Sequence, residues 1–286
     1  MVYGMKKWTT ALMLLLVAAL GSAQNVIYEK SDSARIERIL TKVNSRQYST
    51  PGERILDIAS EFIGEEYVAA TLENGKGEPL YISCTRLDCT TFVELVLAMA
   101  TTSENHERSF SDVCRNLEKI RYRGGVRNGY TSRLHYASWW IEDNTRMGLL
   151  KEITFPRRSK RRILDLHFMS RNPEKYPLLK NDSKAVAAIA GFEKASNGKA
   201  IKYLPKEFLN GNAAQLNIKN GDIIMLVTTQ KGLDIAHMGF AFWKNGKLHL
   251  MHASSLKKKV IKDELTLYEY QKNKKSQPGI RVLRVL

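Results

Sequence analysis

Ile235-Ala236-His237-Met238-Gly239-Phe240-Ala241-Phe242-Trp243-Lys244-Asn245-Gly246-Lys247-Leu248-His249-Leu250-Met251-His252-Ala253-Ser254-Ser255 reads as two strands joined around Asn245-Gly246. Asn-Gly suits a two-residue type I′ hairpin, whose central residues both need positive φ. With Lys244 opposite Lys247, Phe242 faces His249, Gly239 faces His252 and His237 faces Ser254. Side chains alternate between faces, so His237 and His252 share one as diagonal neighbours, roughly 7–8 Å apart at the backbone. His249 points the other way. Imidazoles so placed reach each other, one as a base and the other holding its tautomer. Further strands are expected at 222–228 and 279–286, and tight turns between consecutive strands argue an antiparallel sheet.

Upstream of the hairpin the chain is helical. Residues 33–43 and 51–63 carry helical apolar stripes, with Pro51 in a first turn. After a short strand at 80–84 comes Asp88-Cys89-Thr90-Thr91-Phe92-Val93-Glu94, with Asp88 as helix N-cap and Phe92, Val93, Val96 and Met99 as the buried stripe. Cys89 then lies in the first turn, where unpaired N–H groups and the helix dipole favour a thiolate. The expected roles are Cys89 as nucleophile, His237 as general base and His252 as its orienter. Cys89, His237 and His252 are also chemically acceptable zinc ligands, although no close ligand pair has a familiar spacing. A further helix is expected at 109–121. Residues 124–220, with basic and proline-marked loops, are too long for a simple connection and read as an inserted helical subdomain. Within them a helix at 131–143 crowds Arg133, His135, Tyr136, Trp139, Trp140 and Glu142; aromatic rings and an arginine suit a sugar or a peptide carboxylate, while tryptophans at helical spacing equally suit a core. The fold class is α+β, with helices first and sheet second.

The first 23 residues have the form of a secretory signal peptide: basic Lys6-Lys7, apolar Ala11 to Leu20 and small Gly21-Ser22-Ala23. Residues 24–286 then form one exported domain, periplasmic in a bacterium, with no stable membrane anchor. The formal charge of +16 falls by two when Lys6 and Lys7 leave. Export argues against nucleic acid, and the basic residues suit solvated loops or an anionic polymer such as cell wall. Three cysteines are too few for a disulfide scaffold, and their odd number leaves at least one free thiol. Cys114 sits in a helical apolar stripe, and a bridge between Cys84 and Cys114 stays open. No cofactor is called for.

The order, cysteine on a helix and then histidine on a sheet, is that of papain-like enzymes. Asp88-Cys89-x-x-Phe92, His237-x-Gly239 and His252 resemble the NlpC/p60 superfamily of cell-wall cysteine hydrolases. The stretches 67–73, 87–94, 132–136 and 252–255 resemble its N-acetylmuramoyl-L-alanine amidase-like branch, from about residue 50 onward. The resemblance implies a papain-like α+β fold, with helices packed on an antiparallel sheet or open barrel. It implies hydrolysis by a Cys-His-His triad of the amide joining muramic acid, including its 1,6-anhydro form, to L-Ala in peptidoglycan or its fragments. It also implies Tyr67 at the oxyanion, and Asp88, Arg133, His135, Tyr136, Trp139 and Ser254 at the substrate. Glu66 departs from the proline that often precedes the tyrosine. Two alternatives share these residues: an endopeptidase cutting γ-D-Glu to diamino acid or L-Ala to D-Glu, and a non-catalytic wall-binding protein.

Overall fold

The computed structural model describes residues 25–73, 77–211 and 213–286, so the expected signal peptide lies outside the described residues. The N-terminal half is mainly helical. After β1 (Val26–Ile27) come α1 (Lys30–Asn44) and α2 (Pro51–Ser60), then three two-residue strands, β2 (Glu66–Tyr67), β3 (Leu80–Tyr81) and β4 (Arg86–Leu87). The helices α3 (Cys89–Glu104), α4 (Phe110–Arg121) and α5 (Ala137–Arg146) follow. α3 is buried on nearly every side from Thr91 to Ser103, as expected of a helix apolar around its circumference. Thr50, Asp88 and Ser109 cap α2, α3 and α4 with side-chain oxygens.

Beyond α5 the chain builds the sheet: β5 (Leu150–Ile153), β6 (Lys160–Ile163), α6 (Phe168–Arg171), α7 (Ser183–Ser196), β7 (Ala200–Pro205), α8 (Ala213–Leu216), β8 (Ile223–Val227), β9 (Ile235–Lys244), β10 (Lys247–Ser254), β11 (Lys259–Thr266), α9 (Leu267–Gln271) and β12 (Gly279–Val285). The strand order is β4-β2-β11-β10-β9-β8-β12-β7-β6, with β5 also on β12. β2 and β4 run parallel and their neighbours antiparallel. The molecule is therefore α+β with a large mixed sheet, not a closed barrel.

Both faces of the sheet are covered. Met225, Phe240 and Met251 belong to the core shared with α1–α4, while Ile224, Ala241 and Leu250 belong to a second core with Leu209, Leu267 and Ile280. This two-sided burial explains the unbroken apolar run of β8. Phe92 links helices to sheet, edge-on to Phe62 at 6.3 Å and to Phe240 at 5.7 Å between centroids. A buried ion pair joins α3 to α4: Arg121 Nε donates to Glu94 Oε2 at 2.7 Å, and its Nη1 to Tyr81 O at 2.8 Å.

One expectation needs correction. Residues 124–220 are not a purely helical insertion, because β5 and β7 pair with β12 and β6 pairs with β7. The three cysteines are free thiols, so Cys84 and Cys114 are not bridged; the Cys84 N–H donates to Asp32 Oδ1 at 2.8 Å.

Candidate active site

The start of α3 is fixed independently of its cysteine. Asp88 Oδ1 accepts from the N–H groups of Thr90 (3.0 Å) and Thr91 (2.8 Å), and Thr91 Oγ1 accepts from the Asp88 N–H (2.9 Å). Asp88 is thus occupied as a cap. Cys89, the first helical residue, is half-buried, with the N–H groups of Met238 and Cys89 and the Thr90 hydroxyl favouring its thiolate. Burial and the Asp88 carboxylate oppose them and push the thiol up to about 12. The local pull of the helix N-terminus towards thiolate is outweighed by burial. A helix dipole is worth about 0.3–1 kcal/mol, under one pKa unit, whereas desolvation moves a buried group by up to about 3–5 units.

The hairpin has the register that its alternation requires, with Lys244 opposite Lys247 and Phe242 opposite His249. Asn245 and Gly246 take φ of 51° and 72° at its turn. His237 Nε2 lies 2.6 Å from His252 Nδ1, with the rings nearly perpendicular. His249 instead stacks on Phe242. The line continues to a residue that the sequence did not disclose: His252 Nε2 is 3.2 Å from Asp263 Oδ2 on β11. Burial, then His252 and Lys274, pull the His237 imidazole down to about 3, against the opposing pull of Asp263. Cys89 and His237 share the walls of a cavity of about 140 Å³.

Gly239 makes room for the histidine pair. A Cβ there would stand 2.6 Å from Met251 O and 2.8 Å from His252 Cβ. Gly239→Ala should therefore push β10 away, destabilise the fold by about 1–3 kcal/mol and cut turnover on the order of 100-fold. Thermal melts and initial rates of this variant provide the check; an unchanged rate would show that the spacing of the two rings is not critical.

The remaining expected residues divide. Tyr67, placed by the β2–β4 pairing, lies close enough for the charges of Cys89 and Asp88, behind burial, to help push its hydroxyl up to about 12. His135 and Tyr136 line the Cys89 cavity. They precede α5 rather than lying on it; His135 Nε2 meets Tyr130 O at 2.8 Å, and the Tyr136 hydroxyl donates to Glu193 at 2.6 Å. Arg133 and Trp139 are buried, as the core reading of these side chains has them. Arg133 pairs with Glu73 and Glu78 at 2.7 and 3.1 Å, and the Trp139 indole N–H donates to Ser196 Oγ at 2.7 Å. Ser254 is buried, its Oγ accepting from the Lys257 N–H at 3.2 Å.

The zinc alternative does not suit this geometry. Two nitrogen ligands of one tetrahedral zinc, bound at about 2.0–2.1 Å, stand roughly 3.3 Å apart, and those of His237 and His252 are 2.6 Å apart and bonded to each other.

Residues 57–280 match the AmiA-like, N-acetylmuramoyl-L-alanine amidase-like family. The chain belongs to that family. The amidase-like chain is 42% identical to an N-acetylmuramoyl-L-alanine amidase from Bacteroides uniformis ATCC 8492, over 82% of this chain and 98% of that one, with a TM-score of 0.77. It is 46% identical to a Bacteroides fragilis protein described as a putative xylanase, over 80% of this chain and 100% of that one, with a TM-score of 0.76. A Legionella pneumophila protein, 23% identical over 90% of this chain and 95% of its own, has a TM-score of 0.69 and shares the fold. No curated protein matches. By family the amidase-like chain is an amidase.

Proposed function

We propose that this protein is an exported, papain-like cysteine hydrolase of NlpC/p60 type that cleaves the amide between N-acetylmuramic acid, including its 1,6-anhydro form, and L-Ala in peptidoglycan or its fragments. The observation that carries this reading is the line His237–His252–Asp263 ending at the cavity that holds Cys89, in a chain of amidase-like family. Glycoside hydrolysis, which the name of the Bacteroides fragilis relative suggests, runs on two carboxyl groups about 5–9.5 Å apart. The Cys89 cavity has a single carboxylate, Asp234, and it is occupied by the N–H groups of Ser138 (2.6 Å) and Ile235 (2.9 Å).

The hydrogen-bonded line supports one distribution of protons. The Asp263 carboxylate can only accept, from His252 Nε2–H, which leaves the His252 Nδ1 lone pair to accept from His237 Nε2–H. His237 Nδ1 is then the base. It takes the Cys89 proton as sulfur attacks the lactyl carbonyl, and returns it to the L-Ala nitrogen as the C–N bond breaks. The Tyr67 hydroxyl and the Cys89 N–H serve the developing oxyanion. Water, deprotonated by His237, cleaves the thioester. Asp263 is a positioning residue acting through His252.

Mass spectrometry of muropeptides, anhydro forms included, incubated with the protein tests the bond. Release of a peptide beginning with L-Ala supports the proposal; a dipeptide product assigns an endopeptidase, and no cleavage supports the binding-protein alternative.

A pH prediction follows from the resting protonation. With the imidazole near 3 and the thiol near 12, both partners are neutral across the range between. The rate kcat/KM should be flat through pH 6–7, where an ordinary histidine would give an acid limb. Because the folded imidazole lies below its unfolded value, the stability tied to its neutral form is present above about pH 6.5 and lost as pH falls towards 3. Initial rates paired with circular dichroism separate the two effects. An acid limb near pH 6.5 with the fold intact would contradict this protonation state.

A further inference from the structure

Arg133 and Trp139 are committed to interior partners, which leaves open what would hold the charged part of a muropeptide. A larger cleft, about 610 Å³, opens at the Asp263 end of the catalytic line. Its charged lining consists of Lys257, Lys259, Lys262 and Lys274 against Asp263 and Glu264. Asp263 is already bonded to His252. No ion pair within 4 Å engages any of the four lysines among the described residues. The cleft is continuous with the chemistry: Tyr270 packs edge-on against His252 with centroids 5.7 Å apart, and Lys274 Nζ sits 3.3 Å from the centre of the Tyr270 ring.

We propose that this lysine-lined cleft binds the carboxylate-bearing peptide that leaves in the reaction, with Lys274 and Tyr270 at its catalytic end and Lys257, Lys259 and Lys262 further out. The proposal rests on the amidase reading for the identity of the peptide. A stem peptide carries several carboxylates and the cleft a surplus of unpaired ammonium groups, so each supplies what the other lacks. Its volume is that of an ordinary small-ligand site.

Calorimetric titration of the full-length Cys89→Ala protein with the free peptide L-Ala-γ-D-Glu-diamino acid, and with the same peptide amidated at its carboxyl groups, tests this. Lys257 and Lys262 are exposed, so Lys257→Ala/Lys262→Ala should fold as the parent does. The acidic peptide is expected to bind the parent and to lose roughly tenfold in affinity in the double variant. The amidated peptide should bind weakly and equally to both. Equal affinity of the acidic peptide for parent and variant, equal losses for both peptides, or no binding to the parent would overturn the proposal. Cleavage of muropeptides with lysine-indifferent binding would sink the cleft alone, whereas lysine-dependent binding by a protein that cleaves no muropeptide would sink the amide assignment alone.

Discussion

Cys89→Ala is expected to abolish turnover, by about 10⁴-fold or more, while leaving the melting temperature and circular dichroism of the protein unchanged. The separation is expected because the α3 N-terminus is held by Asp88 and Thr91, whose bonds the substitution does not touch. Alanine also suits the first turn of a helix. The sulfur is the group that forms and releases the acyl bond in the scheme above. A variant with wild-type rates would eliminate the cysteine mechanism, and one that failed to fold would show that the thiol has a packing role which the capping bonds do not reveal.

The second large effect is on stability. Glu94 and Arg121 are almost wholly removed from solvent, and burial pushes the Glu94 carboxyl up while Arg121 draws it back down. Glu94→Ala leaves a guanidinium buried with only the Tyr81 carbonyl as a bonded partner among the described residues. The expected cost is about 3–5 kcal/mol, a fall in Tm on the order of 10 °C. Replacing both partners, Glu94→Leu with Arg121→Met, should recover most of that loss, since a packed apolar pair owes no charge desolvation. Thermal denaturation of the single and double variants decides it. A double variant as unstable as the single one would mean that the pair adds net stability beyond mutual compensation.

What could be read from the sequence was local. The Asn245-Gly246 turn fixed the hairpin register, and from it the shared face of His237 and His252 followed by counting. Asp88 gave the start of α3 because a cap acts within three residues. Asp263 could not be counted to, because the β10–β11 register shifts between His249 and Met251, and a bulge breaks alternation. β11 and β6 were missed for a shared reason: exposed, lysine- and arginine-rich strands have the composition of a solvated loop. The inward commitment of Arg133 depends on Glu73 and Glu78, carboxylates far away in sequence that local periodicity does not connect to it. The raised thiol of Cys89 likewise reflects burial by distant segments, against the local pull of the helix.

β12 follows every other described strand in the sequence, yet it lies between β8 on one side and β7 with β5 on the other. During synthesis, therefore, β8, β9, β10 and β11 leave the ribosome before the strand that joins them to β5 and β7. Until residues 279–285 emerge, the chain carries two incomplete half-sheets with apolar rows uncovered. A stop codon ahead of Gly279 would remove the middle of the sheet rather than trim an edge, and Ile280, Val282 and Leu283, all fully buried, would be lost from both cores together.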